Sequence, residues 1–223
     1  MRLELHLIFK SDATFGRGDG VAGLVDEEIE HDSATGLPFL RGRTLKGLLA
    51  EECANLLFAL GKKNLLTRER LEKAAMPLFG QAGSTLDDDA LMHVGAAVLP
   101  RQLRDAVGTD IKRGDLTPAD VLEALTAIRR QTAVDEETGA PDEGSLRSMR
   151  VLLRETPFVA KLDFDRDPQP DELALLTACV MSLRRGGTGR NRGRGQLRAW
   201  LVNEKFTADN FANFRTIVKG EAQ

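Results

Sequence analysis

Tyrosine is absent from this chain of 223 residues, tryptophan occurs once, and aromatics together make up 5%. The three histidines, His6, His31 and His93, have no metal-ligand spacing, and His6 and His93 fall within strand-like segments. No G-x-x-x-x-G-K-[ST] motif, serine elbow or Cys/His dyad exists. No apolar run approaches the length of a membrane span. The opening MRLELHLIFK alternates apolar with polar residues and lacks the unbroken core of a signal peptide. Both cysteines, Cys53 and Cys179, fall on apolar stripes of helical segments and read as buried free thiols. The expectation is a cytoplasmic protein with no membrane contact. An excess of positive charge is also missing: the formal charge is −3, which excludes a polycation that coats nucleic acid indiscriminately.

What is present is a chain 42% hydrophobic and 29% charged, the balance of one soluble globular domain able to bury a sizeable core. The charge is unevenly spread. Arg184, Arg185, Arg190, Arg192, Arg194 and Arg198 occupy fifteen residues with no acid among them, giving that stretch +6 and the remainder −9.

Leu3, Leu5, Leu7 and Phe9 alternate as an opening strand with one face buried. From Ser11 to Arg43 glycines recur among acids, a long excursion with a short strand expected near 24–29. Leucines at 45, 48, 49, 56, 57 and 60 then predict a helix that Gly61 stops. Arg43 and Lys46 stand at its start, where cations oppose the helix dipole unless an anion is also bound. In the middle, 67–75 and 118–130 read as helices and 91–99 as a strand. Residues 157–164 alternate as a strand, 170–183 repeat as a helix, 196–202 form a closing strand, and 207–219 form a helix capped by Thr207. The order fits an α+β, ferredoxin-like split βαβ in one domain spanning 1–223, with residues 64–150 as a large insertion.

Two formal motifs fail on context. Gly18-Asp19-Gly20-Val21-Ala22-Gly23 has dinucleotide-site spacing, but acids and a turn follow where a helix is required, so a dinucleotide enzyme is a remote alternative. Asp163, Asp165 and Asp167 imitate the start of a calcium loop, yet Pro168 takes the glycine position and Ala174 the bidentate glutamate position. The run from Arg184 to Gly195 remains. Its glycines allow close approach to a phosphodiester, and its arginine forks match phosphate oxygens. With almost no aromatics there, phosphate contacts to single-stranded nucleic acid should dominate, independent of sequence.

Together with the opening strand, Gly36-Leu37-Pro38-Phe39-Leu40-Arg41-Gly42-Arg43-Thr44-Leu45-Lys46-Gly47, Leu78-Phe79-Gly80 and the closing Gly-Arg loop resemble the RAMP superfamily of CRISPR-associated proteins. The similarity is to backbone subunits of type III effector complexes, which have modified RNA-recognition-motif folds and stack along a guide RNA. The resemblance implies that Arg184, Arg185, Arg190, Arg192, Arg194, Arg43 and Lys46 hold guide-RNA backbone. It places the glycine-rich excursion, with Arg17, near the guide–target duplex. It further implies that Asp26 cleaves bound target RNA with a divalent metal, Mg or Mn, in antiviral defence. Val134–Glu137 repeats the Val-Asp-Glu-Glu of the first loop before Thr-Gly, which makes Asp135 a rival acid on a second, thumb-like contact. The implied partners are guide RNA, target RNA, other effector subunits and further copies of the chain. Two other branches are alternatives: a non-catalytic subunit binding guide RNA or its 5′ handle, and a guide-maturing enzyme for which His31 would be the acid–base residue.

Overall fold

The computed structural model describes residues 1–220 except 22, 63, 81–89, 133–138 and 141–144. The elements are β1 (Arg2–Phe9), α1 (Gly42–Gly61), α2 (Leu65–Phe79), β2 (Met92–Val94), α3 (Arg101–Arg113), α4 (Pro118–Leu125), β3 (Thr126–Gln131), β4 (Arg147–Leu152), β5 (Pro157–Phe164), α5 (Pro170–Ser182), β6 (Leu197–Leu201) and α6 (Glu204–Lys219). A four-stranded antiparallel sheet runs in the order β2-β5-β1-β6, and β3 and β4 form a separate antiparallel ribbon.

The period-2 pattern of β1 becomes a buried face: Leu3, Leu5, Leu7 and Phe9 pack with Phe158, Ala160 and Leu162 of β5 against the helices. Helix α5 is the central helix of that layer, with Ala174–Val180 buried around its whole circumference. Cys53 of α1 and Cys179 of α5 are buried free thiols. The outer sheet face carries Arg2 paired with Asp163, and His6 stacked on Trp200 with ring centroids 5.4 Å apart. Helix α2 contributes Leu71, Ala74 and Leu78 to the core and β2 lies in the main sheet, so these parts of 64–150 are integral to the layers.

Several local expectations are corrected. The helix expected over 118–130 ends at Leu125, and the chain continues as β3. Leu122, Leu125 and Ile128 imitate a helical stripe, but pairing with β4 captures the β-branched residues. The strand expected over 91–99 is only β2, followed by isolated bridges from Ala97 to Leu40 and from Val98 to Val159. Residues 24–29 form isolated bridges in place of a strand. Gly61 ends α1 in helical geometry rather than as a left-handed stop, and Asn64 caps α2 by accepting from the Thr67 N–H at 3.1 Å. Asn203, not Thr207, caps α6. Thr207 lies one turn inside, its hydroxyl accepting from the Leu201 N–H (2.9 Å) and donating to the Leu201 carbonyl (3.0 Å).

Candidate nucleic-acid interface

The glycine-rich first loop is docked against the ribbon. Val25 and Ile29 are buried, and the Asp26 and Glu27 N–H groups donate to the Ser148 carbonyl at 2.9 and 3.2 Å. The Arg150 N–H returns a bond to the Glu27 carbonyl at 3.0 Å, so the loop adds a short parallel pairing to the edge of β4. Beneath it, the Arg150 Nε donates to both carboxylate oxygens of Glu28 at 2.8 and 3.0 Å, with side chains only 8% and 2% exposed. Arg150 also donates to the Thr126 hydroxyl at 3.1 Å.

This docking leaves Asp26 exposed at the rim of an open cleft of about 1140 Å³, whose lining includes Gly18, Glu27, Arg147, Ser148, Thr188 and Arg192. The Asp26 carboxylate accepts from the Ser148 N–H at 2.6 Å and from its hydroxyl at 3.0 Å. The backbone donor first and the hydroxyl second hold the Asp26 carboxyl below its ordinary pKa, with a smaller pull from the Arg147 charge. Asp26 is therefore a fixed anion at neutral pH. Its contribution to folding is complete above the ordinary carboxylate range near pH ~4 and is lost as pH falls through the lowered native value. Ser148→Ala should raise the Asp26 titration midpoint seen by carboxyl NMR, while the backbone donor keeps it below that of a free aspartate.

The Gly-Arg loop is pinned, not loose. Arg185 bridges to Gln196, the Gly186 N–H donates to the Gly195 carbonyl at 2.9 Å, and the Thr188 N–H donates to the Thr14 carbonyl at 2.8 Å. Gly187 and Gly195 adopt φ of +86° and +64°, and a β-carbon at either would meet a backbone oxygen at 2.3 or 1.8 Å. Thr188 donates to Glu27 Oε1 at 2.8 Å, tying this loop to the first one.

The structure brings together some of the residues chosen from sequence and separates others. Asp26 and Arg192 share the cleft, and Arg194 lies beside it, its guanidinium against the Met149 sulfur. Arg190 is clamped to Glu51 of α1 by two bonds of 2.9 and 2.7 Å, which raises its own pKa and lowers that of Glu51. Arg184 and Arg185 face a different cleft. Arg17 is paired with Asp19, Arg43 is exposed in the first turn of α1, and Lys46 is half-buried there. That first turn contains no acid and no capping side chain. Asp135 falls outside the described residues.

The ribbon was not foreseen, although it supplies Ser148, Arg130 and Arg147 to the walls around Asp26. A legible signal was the recurrence of arginines at 129, 130, 147 and 150 on both sides of the acidic segment 135–143. Among the described residues no group of three or more His, Cys, Asp or Glu could enclose a metal ion. Asp163, Asp165 and Asp167 are used instead by Arg2, His93 and the N-terminal amine. His31 Nδ1 lies 3.3 Å from the Ile29 carbonyl. The helix after Gly18–Gly23 does not begin until Gly42, so the dinucleotide geometry is absent.

An α+β domain with an antiparallel sheet, a docked glycine-rich loop and an arginine-bearing closing loop is thus the class defined by fold and site. The RAMP superfamily matches residues 9–198, and the chain belongs to that superfamily. Two solved structures share the fold. One is a chain of the type III-B Cmr-beta complex bound to cognate target RNA, with a TM-score of 0.60 and 12% identity, covering 95% of this chain and 99% of that one. The other is from the apo state of type III-B Cmr-beta, with a TM-score of 0.60 and 13% identity over 92% and 98% of the two chains. No curated protein matches this sequence. Among the described residues no helix is long and apolar enough to cross a membrane.

Proposed function

We propose that the chain is an RNA-binding subunit of a type III CRISPR effector ribonucleoprotein, holding guide RNA and cleaving bound target RNA beside Asp26. The observation that carries this reading is the placement of Asp26 in one open cleft with Arg192 and Arg147, an ionised carboxylate beside two guanidinium groups that can hold phosphates. Superfamily membership and the fold shared with Cmr-beta chains support it. We read the sheet as ferredoxin-like: β1 and β5 are central, and α1 and α5 follow β1 and β5 as the two crossovers. Guide RNA, target RNA, sister subunits and stacked copies of the chain are the partners, in the cytoplasm.

The residues fit a divalent ion only in part. Asp26 provides one anionic oxygen donor, so RNA oxygens would complete the shell of Mg or Mn. Bound there, the ion would supply charge stabilisation at the phosphoryl group and acidify an attacking 2′-hydroxyl. The chain's own contribution is orientation. Ser148 keeps Asp26 ionised and aimed, and its low pKa suits a ligand or orienting group better than a general base. Arg192 and Arg194 supply charge-assisted donors to the backbone. That no group of three ligating side chains gathers there among the described residues also favours a second reading, a guide-binding subunit without cleavage.

Binding is tested with single-stranded RNA. Arg192→Ala with Arg194→Ala should flatten the log–log salt dependence of affinity by about 1.4 if each arginine neutralises one phosphate. An unchanged slope contradicts the loop's role.

A further inference from the structure

The Gly-Arg loop is a partition. Thr188 and Arg192 line the cleft that holds Asp26 and Arg194 lines the pocket adjoining it, while the two ends of the loop, Arg184 and Arg185 on one side and Gln196 and Arg198 on the other, close with Lys10 around a separate cleft of about 500 Å³. No residue lines both. The lining of this second cleft contains four cations and no acid. Lys10 and Arg198 are balanced from outside it, by Glu155 at 3.3 Å and Glu204 at 2.6 Å. Among the described residues neither Arg184 nor Arg185 forms an ion pair, although the Arg184 charge reaches Glu52 of α1, which does not line the cleft. The C-terminal end of α5 attracts a cation through its dipole, which accounts for one of these side chains but not for four around one cavity.

An aromatic surface stands next to this charge. Arg198 lies 5.7 Å from the Trp200 ring, which is stacked on His6 across the strand pair on the open sheet face. Phosphate-binding forks beside an aromatic surface are what a single-stranded RNA segment uses, the backbone in the cleft and a base against the ring. An acidic protein segment would use the charge but not the ring.

We propose that the cleft formed by Lys10, Arg184, Arg185 and Arg198 is a second RNA-binding site, holding a stretch of single-stranded backbone distinct from the one beside Asp26. The inference rests on the RNA-binding reading above but not on cleavage. One chain then holds two separate segments of RNA, with the pinned loop between them, and Arg184 and Arg185 act apart from Arg192 and Arg194.

The test uses the full chain and a uridine oligomer of about 8 nucleotides, short enough to occupy one site of ordinary size. Titration should saturate at two oligomers per chain. Arg184→Glu with Arg185→Glu should reduce this to one, Arg192→Glu with Arg194→Glu should also reduce it to one, and the four changes together should abolish binding. Trp200→Leu should weaken only the site that survives Arg192→Glu with Arg194→Glu. Circular dichroism melting controls for folding, since Arg184 and Arg185 are exposed. Saturation at one oligomer, lost only on changing Arg192 and Arg194, overturns the second site and leaves the proposed function standing. No RNA binding by the unaltered chain overturns both. Displacement of the second oligomer by poly-glutamate at concentrations where inorganic phosphate has no effect, together with insensitivity to Trp200→Leu, assigns the cleft to an acidic protein segment and overturns the proposal.

Discussion

Asp26→Asn is expected to lower target-RNA cleavage by the assembled complex roughly 10²–10⁴-fold, the range for removing a positioned ionisable group from a reacting centre. Assembly and guide-RNA content should not change. The substitution is nearly isosteric, and an asparagine oxygen can still accept from the Ser148 N–H and hydroxyl that hold the carboxylate at 2.6 and 3.0 Å. What disappears is the charge. Because the Ser148 donors hold the Asp26 carboxyl below its ordinary pKa, the wild-type group presents an anion at neutral pH, and the variant presents none. Asp135→Asn is the paired control, with no loss expected. Full cleavage by the Asp26 variant in an intact complex would favour the purely structural subunit, and loss in the Asp135 variant instead would move the chemistry to the second loop.

The second large effect concerns stability. Glu28→Gln should destabilise the domain by about 3–5 kcal/mol, because the change leaves the buried Arg150 charge without its partner. In a chain of this size that corresponds to a melting temperature lower by roughly 6–20 °C. The pair is buried almost completely, and few of its bonds are dispensable: Glu28 Oε1 also accepts from the Ile29 N–H at 2.9 Å, and Thr14 donates to the Arg150 carbonyl at 3.1 Å. Glu28→Met combined with Arg150→Met should be much milder than Glu28→Gln alone, since no charge is then stranded. Calorimetry of the three variants separates these outcomes. Equal melting temperatures for Glu28→Gln and the unaltered chain would show that the ion pair does not hold the loop. The pair stands two residues from Asp26, so its loss should also release the first loop from the ribbon and speed amide exchange at residues 24–29.

These two effects show why the sequence was informative in some places and silent in others. The sheet strands β1, β5 and β6 were legible because each buries one face, so apolar residues at alternate positions betray them. Helices α1 and α5 were legible because leucine-rich stripes recur over several turns. The ribbon was not, because β4 reads Arg-Ser-Met-Arg-Val-Leu and buries its last four residues on both faces, an arginine among them. No alternation survives that arrangement. Arg150 in particular looks like a surface cation until its partner, 122 residues away in sequence, is placed beside it. Helix α3 was missed for the opposite reason, since none of its residues is fully buried.

The site was half legible on the same grounds. Asp26 and the Gly-Arg run stood out by residue type, and the family resemblance ordered them. Their neighbours could not be read, because Ser148 matters first through its backbone N–H, a group every residue but proline has, and only second through its hydroxyl. The division of the arginines was equally hidden. A string of six cations reads as one patch, whereas the folded loop turns Arg184 and Arg185 toward one cleft, Arg192 and Arg194 toward another, and ties Arg190 to Glu51.

The central claim is that this RAMP chain works inside a type III effector that carries RNA. The most direct measurement is affinity purification of the chain from its native host, with mass spectrometry of co-purifying proteins and sequencing of bound RNA. The expected result is a large ribonucleoprotein containing other effector subunits and short RNAs derived from a CRISPR array, with several copies of this chain per particle. A chain that purifies alone and free of RNA, in cells where the other effector subunits are present, would contradict it.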